Sequence, residues 1–506
     1  MSLRRWLLDP GIDATRAVLT LIVVATILRI VFASTLGLGI DEAYTVATAR
    51  VFQWSYLDHP PLAWWLASGA AHLFGSEAPP AVRAPFIALF ALSTWLIYRL
   101  TSLAFGARAG FYAALLLNLA PALGVTDGSF VLPDGPLVAA LLGGAICLMR
   151  ATALEAPRAR LWWLGAGLCG GLALLSKYHG VFLFAGAGLF LLTSPRHRRW
   201  LASPWPYAGA LIAALLFTPV LLWNSENHWA SFAFQGGRAT ALRISPLLPL
   251  LALLGQALFL TPWIWAPLVV RAFAALRRGP ADERAWLLLC LACGPVLVFT
   301  LLPGVTGSRG LFHWPMPGYL MLFPLLGEAV SRRVTAGDAR TRRWLVATTT
   351  ATPVLLGLAI AMALLLWPGL PFARPGQNTD PLIETLEWRN LRSAFAEAGF
   401  LEQPNLFVAA GRWHEAGRID YALRGALPVA CVCDDPRGYA IKAPLAGFVG
   451  QDALIVVPST RRAEAQAFFG RSFASITEWR TISVDHGGRP SFDLAIFVGR
   501  SFTLAK

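Results

Sequence analysis

The sequence predicts an all-α polytopic membrane domain of about 11 transmembrane helices and a small C-terminal extracytoplasmic α/β domain. Hydrophobic residues make up 56% of the 506-residue chain and charged residues only 14%, against about 45–50% and about 25% in an average protein. Apolar runs long enough to cross a bilayer recur up to residue 368, and short β-like runs follow. We therefore predict a transmembrane domain over 1–368 and a second domain over 369–506.

The apolar runs place the spans along the first domain. The first run is longer than the apolar core of a signal peptide, which has about 7–15 residues, so it predicts an uncleaved first span. The predicted spans are 17–38, 82–100, 109–125, 135–150, 161–176, 180–194, 206–223, 247–272, 285–303, 316–330 and 344–368.

Arginine is concentrated in alternate loops between these spans. The loops of the other parity hold only Arg50, Arg83, Lys177, Arg238, Arg243 and Arg309. Cytoplasmic loops of membrane proteins carry the excess of Lys and Arg, so we predict a cytoplasmic N-terminus and a tail outside the cytoplasm. The same asymmetry accounts for the net charge of +14, and no nucleic-acid partner is expected.

The C-terminal domain is predicted from three β-like runs, NLFVAA, LPVACVC and ALIVVP, separated by helical patterns. Strands alternating with helices favour an α/β fold. Cys431 and Cys433 lie two residues apart in the second run and are interpreted as pointing to opposite faces of a strand. We therefore expect a bridge between them to be strained.

Acidic residues follow the first span. Asp41 suits a helix N-cap and Glu42 a first helical turn. The apolar spacing after them predicts a helix on the membrane surface, and Pro60 predicts the start of a second helix. Capping is one interpretation of these acids. Function is the other, because a separate acid, Asp134, lies in the next loop on the same side, where Asp127 is interpreted as a turn residue.

Basic residues occupy the same set of loops. Arg83 opens the second span, Lys177 shares a very short turn with His179, and Arg309 precedes His313. Snorkelling is the alternative for Lys177, and the two histidines are interpreted as ordinary hydrogen-bonding residues. Cations near the outer leaflet suit a lipid-linked phosphate, and a carboxylate beside them suits a base that activates a hydroxyl. The combination indicates sugar transfer from a polyprenyl phosphate to an acceptor outside the cytoplasm.

A series of motifs runs in order from about residue 39 to 320: DEAYTVA, YLDHPPLAWWL, FGSEAPPAVRAP, LPDGPL, LLSKYHGVFL, LLWNSENHWASFAFQGGR and HWPMPGYL. As an ordered set they resemble the lipid-phosphate-dependent glycosyltransferases of the GT-C superfamily. Within it they are most similar to bacterial relatives of protein O-mannosyltransferases and of aminoarabinose (lipid A) transferases. The resemblance implies a GT-C type membrane domain, a polyprenyl-phosphate-linked sugar donor and a glycan, lipid or protein acceptor. It also implies a multi-pass protein of the bacterial inner membrane with a periplasmic C-terminal domain.

The resemblance assigns roles to individual residues. It implies that Asp41, with Glu42 beside it, acts as general base on the acceptor, and that Asp134 is a second catalytic acid. The cationic residues expected to hold the donor phosphate are His59, Arg83, Lys177 and Arg309. His59 stands where aminoarabinose transferases have lysine, and an imidazole donates to phosphate less as the pH rises.

The expected reaction requires no metal or other cofactor, because cationic side chains carry the phosphate charge, although a divalent metal is compatible with it. A flippase or transporter of a polyprenyl-linked lipid is the rival interpretation. A transporter would need polar groups near the middle of the membrane, whereas the candidate acids and cations lie in loops.

Overall fold

The computed structural model describes residues 3–9, 11–153, 158–237, 243–307, 311–365, 387–486 and 489–504. The chain divides into two compact units. The first comprises Met1–Phe32, Trp54–Ala63 and Arg83–Leu355, and the second comprises Ala33–Gln53, Trp64–Val82 and Leu356–Lys506. The predicted domain boundary after residue 368 falls within 366–386, outside the described residues, so the domain assignment stays a prediction.

The first unit is built from helices. Those that lie wholly or mainly in it are α1 Leu3–Leu8, α2 Ala14–Thr35, α5 Pro79–Phe105, α6 Ala107–Leu119, α7 Asp134–Ala153, α8 Ala159–Ser176, α9 Val181–Thr193, α10 Pro204–Glu226, α11 Ala230–Gly237, α12 Leu247–Leu260, α13 Pro262–Arg278, α14 Glu283–Thr306, α15 Met316–Leu320, α16 Phe323–Thr335 and α17 Ala339–Leu365. A π-helical turn, Ala122–Asp127, follows α6.

Several of these helices can cross a membrane. Among the described residues, six are long and apolar enough, namely α2, α5, α7, α8, α10 and α14, and the bent pair of α12 and α13 makes a seventh if it is one span. Each of the predicted spans overlaps a helix or a broken helix pair. The unit therefore has the architecture of a multi-pass membrane domain, while the predicted count of eleven crossings is not established by these helices.

The break between α12 and α13 follows from local sequence. The two helices meet at 116°, and Thr261 between them has a φ of 69°. The residue before a proline is disfavoured in the α conformation, and Pro262 suits the first position of a new helix. The sequence Thr-Pro therefore ends one helix and starts the next.

Helices α8 and α10 approach each other through glycine. A Cβ atom on Gly167 would lie 2.0 Å from the carbonyl oxygen of Gly209, so a larger residue there would push the backbones apart. Small residues commonly permit such close packing of membrane helices. Helix α8 ends at Ser176, and Lys177 follows it.

The second unit combines two early helices with the C-terminal α/β fold. Its elements are α3 Ile40–Ala49, α4 Leu62–Phe74, α18 Asn390–Glu397, α19 Trp413–Leu423, α20 Tyr439–Lys442, α21 Arg462–Phe469, β1 Leu406–Ala410, β2 Val429–Cys431, β3 Asp452–Pro458, β4 Phe473–His486 and β5 Arg489–Phe502. The sheet order is β2-β1-β3-β5-β4. β1 is parallel to β2 and β3, whereas β5 is antiparallel to β3 and β4. Phe407, Ile455 and Phe497 belong to its core.

Cys431 and Cys433 form a disulfide, so the prediction of opposite-facing side chains was wrong. The physical reason is that side chains alternate along a strand with a period of two, so residues two apart share a face. β2 itself ends at Cys431. The Cα atoms lie 5.5 Å apart, within the usual range for a disulfide, which is about 4.4–6.8 Å.

The two early helices differ in detail from their predictions. Gly39 is the N-cap of α3, so the prediction that Asp41 fills that position was wrong, and α4 begins at Leu62 rather than at Pro60. Residues 42–49 are all buried, so α3 does not show the single apolar face of a surface helix. It packs instead against α19, where a Cβ atom on Gly417 would lie 2.9 Å from the Cα of Tyr44. Local periodicity could not indicate a partner so distant in the chain.

Candidate active site

Lys177 and Asp134 form a buried ion pair in the first unit. The Lys177 Nζ donates to Asp134 Oδ1 at 2.8 Å and to Oδ2 at 2.9 Å. Lys177 follows α8 in extended conformation, and Asp134 is the first residue of α7. Lys177 is 3% exposed and Asp134 8%, so the ammonium group lies on the carboxylate rather than reaching out to the membrane surface. An ammonium group has three N–H donors, and the two oxygens of Asp134 leave one for a further acceptor.

Asp127 is buried at the end of the π-helical turn, with 5% of its surface exposed. Burial, reinforced by the negative charge of Asp134, raises the pKa of Asp127 well above its ordinary value, against the opposing charge of Lys177. Asp127 is therefore not the exposed turn residue that the sequence suggested. A protonated carboxyl can donate a hydrogen bond, and π-helical turns occur frequently at functional sites.

Arg29 supports this turn and was not identified from the sequence. Its Nε and Nη2 donate to the carbonyl oxygen of Gly124 at 3.1 and 2.7 Å, and Nη2 also donates to Asn118 Oδ1 at 2.9 Å. The guanidinium group lies 4.4 Å from the centre of the Phe90 ring. The available signal was a single charged residue within an apolar run of α2, because charge in such a position is costly and therefore usually has a role.

Two histidines lie near the ion pair. His179 stacks on Phe299 with ring centres 4.6 Å apart, and its buried Nε2 has no hydrogen-bond partner among the described residues. Burial, with the positive charge of Lys177, lowers the pKa of His313 to about 4, so its imidazole is neutral at pH 7. In the part of the chain that the structure describes, no cluster of three or more His, Cys, Asp or Glu could hold a metal ion.

The other residues predicted to bind the donor phosphate are Arg83, His59 and Arg309. Arg83 is completely buried, with its guanidinium group 5.2 Å from the centre of the Phe130 ring. His59 lies close enough to His179 to interact with it electrostatically, and the carbonyl of the preceding residue, Asp58, accepts from the Gln235 side chain. Arg309 belongs to residues 308–310, outside the described residues.

Asp41 and Glu42 belong to the second unit, and their environments differ. Glu42 is 2% exposed, and its Oε2 accepts the backbone N–H of Gly39 at 2.9 Å, which is the acceptor half of a capping box. Asp41 is exposed in the first turn of α3. The N-terminus of a helix stabilises a negative charge, and Asp41 presents an accessible carboxyl group there.

A network of ion pairs within the second unit holds the end of α3. Arg50 follows α3 and donates to Asp420 Oδ1 at 2.8 Å and to Glu77 at 2.6 and 2.7 Å. Asp420 Oδ2 accepts from Tyr439 at 3.0 Å and from Lys442. The helix that carries Asp41 is thus fixed by side chains of the C-terminal fold.

Closer to its start, α3 has a second attachment to that fold. The Tyr44 hydroxyl accepts the backbone N–H of Gly438 at 2.9 Å, and Lys442 also donates to the carbonyl oxygen of Ala47 at 2.7 Å.

Comparison with known proteins agrees with the motif resemblance. Residues 58–223 match the family model described as dolichyl-phosphate-mannose-protein mannosyltransferase, and this segment contains His59, Arg83, Asp134 and Lys177. No curated protein matches the sequence significantly.

Solved structures show a similar fold. ArnT from Cupriavidus metallidurans bound to undecaprenyl phosphate is 18% identical with a TM-score of 0.64, over 96% of this chain and 98% of that chain. Its apo state is 17% identical with a TM-score of 0.62 over the same shares. The Archaeoglobus fulgidus oligosaccharyltransferase in complex with zinc and sulfate is 14% identical with a TM-score of 0.50, over 94% of this chain and 72% of that chain. The resemblance to GT-C glycosyltransferases is therefore confirmed, by a mannosyltransferase-like segment and by a fold similar to that of ArnT.

Proposed function

We propose that this protein is a membrane glycosyltransferase that moves a sugar from a polyprenyl-phosphate donor to an acceptor outside the cytoplasm. The buried pair of Lys177 and Asp134 carries this proposal, because it holds an ammonium group in a fixed position with one donor remaining. Both residues lie in the segment that matches the mannosyltransferase model. The structure of ArnT with a similar fold contains undecaprenyl phosphate, which supports a lipid-linked donor.

In the proposed binding mode, the free N–H of Lys177 donates to the donor phosphate, and Asp134 orients the ammonium group. Arg83, His59 and Arg309 add positive charge or hydrogen-bond donors. A charge-assisted contact of this kind is worth about 1.5–3 kcal/mol. Asp127, whose pKa is raised well above its ordinary value by burial, supplies a hydrogen-bond donor beside the phosphate when it is protonated.

In the proposed reaction, Asp41 takes the proton of an acceptor hydroxyl or amine. The acceptor oxygen or nitrogen forms a bond to the anomeric carbon, and the bond from that carbon to the phosphate oxygen breaks. The polyprenyl phosphate leaves with the electron pair and needs no proton, and the configuration at the anomeric carbon inverts. Glu42 stabilises the first turn of α3 through its bond to Gly39. The acceptor classes are a lipid such as lipid A, another glycan and a protein.

We further propose eleven membrane crossings, a cytoplasmic N-terminus and a periplasmic C-terminal domain in the bacterial inner membrane. The alternation of arginine between loops supports this orientation. The Cys431–Cys433 disulfide supports it independently, because disulfides persist mainly in oxidising compartments.

The test supplies purified protein in liposomes with polyprenyl-phosphate sugars and follows release of free polyprenyl phosphate. Wild-type protein should release it in the presence of an envelope glycolipid extract, and mass spectrometry should detect the glycosylated product. The double variant K177Q/D134N removes both charges together and should lose donor affinity by roughly one to two decades.

The matched control is R462Q/E478Q, which removes an exposed ion pair of the C-terminal fold and should keep wild-type donor affinity. Movement of intact donor across the bilayer without release of polyprenyl phosphate would instead support a flippase and refute transfer.

A further inference from the structure

A second site, distinct from the ion pair of Lys177 and Asp134, lies between α13, α16 and α17. These helices enclose a cavity of about 590 Å³, a size typical of small-ligand sites, which span about 300–1,000 Å³. Its charged lining residues are Arg271, Arg333, Arg340 and Asp338. The rest of the lining is mostly apolar and includes Trp344.

The lining changes character along each helix. On α16, the residues Leu326, Ala329, Val330 and Arg333 follow the spacing of one helical face, with the arginine in the last turn. On α13, Arg271 likewise comes after the apolar lining residues. An apolar stretch that leads to a positive charge matches an acyl chain followed by an anionic headgroup.

The positive charges of this cavity are only partly balanced, by the carboxylates of Asp338 near Arg333 and Glu328 near Arg271. Within the described residues, the guanidinium groups of Arg271, Arg333 and Arg340 make no ion pair or hydrogen bond. The carboxylate of Asp338 instead accepts the backbone N–H of Arg340 at 3.2 Å and the N–H and hydroxyl of Thr341 at 3.3 and 2.6 Å. Asp338 thus serves as the cap of α17, and the cavity retains an excess of positive charge.

The apolar side of the cavity faces the environment of acyl chains. The lining residue Val270 is 53% exposed, and Phe273 and Leu276 on the same helix are 61% and 54% exposed. In a membrane domain such residues contact lipid rather than water. A ligand that enters from this side therefore comes from the bilayer.

We propose that this cavity binds an anionic phospholipid, with its phosphate on Arg271, Arg333 and Arg340 and an acyl chain along the apolar residues of α13 and α16. Basic pockets between transmembrane helices recognise anionic headgroups in this way. The site lies apart from the proposed donor-binding residues and does not depend on the glycosyltransferase assignment.

The test counts lipids bound to the full-length protein by native mass spectrometry from detergent micelles. Titration with palmitoyl-oleoyl-phosphatidylglycerol should show one tightly bound lipid. Phosphatidylcholine should bind at least about tenfold more weakly, because its cationic choline group cancels the net charge of the headgroup and is repelled by the three arginines. The variant R271Q/R333Q should lose phosphatidylglycerol affinity by at least about tenfold. The control R332Q/R343Q removes the same charge from arginines that do not line the cavity and should bind like the wild type.

A second variant, A266W, keeps every charge and fills the apolar part of the cavity from an exposed lining position. A266W should also lose phosphatidylglycerol affinity. It therefore tests the proposal even if R271Q/R333Q does not fold. The proposal would be overturned if R332Q/R343Q lost as much phosphatidylglycerol affinity as R271Q/R333Q. It would also be overturned if the two lipids bound equally well, or if A266W kept its phosphatidylglycerol affinity. Displacement of the lipid by millimolar inorganic phosphate would assign the site to a soluble anion instead and would also overturn it.

Discussion

The ammonium group of Lys177 contacts both carboxylate oxygens of Asp134, at 2.8 and 2.9 Å, with both side chains almost fully buried. Neither residue can be changed alone without leaving an uncompensated charge in a low-dielectric setting. For such pairs, loss of one partner costs about 3–5 kcal/mol, whereas neutral replacement of both is often tolerated.

We therefore expect K177Q and D134N each to lower the free energy of unfolding by about 3–5 kcal/mol, and the double variant to lose clearly less than their sum. Unfolding in mixed detergent micelles, carried out as a double-mutant cycle, measures this coupling. Additive losses would mean that the two side chains contribute independently and that the contact is not a stabilising unit.

Asp41→Asn should abolish transfer while leaving the fold intact. The side chain is exposed and is not the N-cap of α3, so the fold should survive the change; the helix-dipole contribution of the lost charge is about 0.3–1 kcal/mol. Loss of a general base lowers the rate by about 10²–10⁴-fold, and donor affinity should be unchanged.

The matched variant for Asp41→Asn is Glu42→Gln, on the neighbouring buried residue. It weakens the bond to Gly39 and should reduce stability more than rate. Near-normal transfer by a well-folded Asp41→Asn protein would exclude Asp41 as the base.

Asp420→Asn should loosen the helix that carries Asp41. The Asp420 carboxylate accepts from Arg50, Tyr439 and Lys442 and is 3% exposed, so its neutralisation should destabilise the second unit by about 3–5 kcal/mol. The control Glu478→Gln breaks an exposed pair with Arg462 and should cost about 0–1 kcal/mol. Hydrogen exchange should show α3 losing protection in D420N only; unchanged protection would mean that the network does not hold α3.

A reporter fused after Lys506 should be active only outside the cytoplasm, because the arginine-rich loops share the opposite parity. Alkaline phosphatase and a fluorescent protein that matures only in the cytoplasm form a complementary pair of reporters. Fluorescence without phosphatase activity would show that the C-terminus is cytoplasmic. The proposed orientation would then be wrong, and so would transfer to an acceptor outside the cytoplasm.

The C-terminal fold should lose stability as the pH falls from about 6.5 toward 4. Burial, with the positive charges of Arg418 and Arg412, lowers the pKa of His414 from its ordinary value of 6.5 to about 4. In that window the unfolded chain binds a proton that the folded chain does not, so stability rises with pH and is lost on acidification.

Thermal unfolding at pH 7.5 and pH 4.5 measures the effect of His414. The variant H414Q should lose less of its midpoint temperature than the wild type, whereas H72Q, at an exposed position on α4, should lose as much. An equal loss in H414Q would show that other groups control the acid response.

The sequence predicted the helices of the membrane domain well, because a long apolar run favours a membrane helix whatever its distant neighbours in the chain are. Each predicted span overlaps a helix, and the α/β character of the tail is confirmed by its five-stranded sheet. Errors arose where a distant partner decides the outcome. The environment of α3 depends on α19, and the contact of Lys177 with Asp134 joins turns that are 43 residues apart.

Individual site residues were harder to foresee than elements. Arg29 was overlooked because its partners are backbone and amide groups of the turn near Gly124, and no motif marks them. Asp127 resembled a turn residue because its sequence context, Thr-Asp-Gly, is typical of exposed turns, whereas the π-helical turn buries it. The disulfide between Cys431 and Cys433 was missed because side chains two residues apart on a strand share one face and do not point to opposite faces.

The hydrogen bond from Gly438 to Tyr44 joins residues that are 394 positions apart in the chain. Helix α3 therefore emerges from the ribosome long before the residues that cover it, by roughly 20–80 s at a synthesis rate of about 5–20 residues per second. Throughout that interval its inward side chains have partners on α4, such as Trp64, which donates to the Thr48 hydroxyl, but lack those that the C-terminal fold supplies. A nascent chain stopped after the last membrane helix would never complete this cover, so the final stage of biogenesis is the closing of the C-terminal fold over a segment made near the beginning.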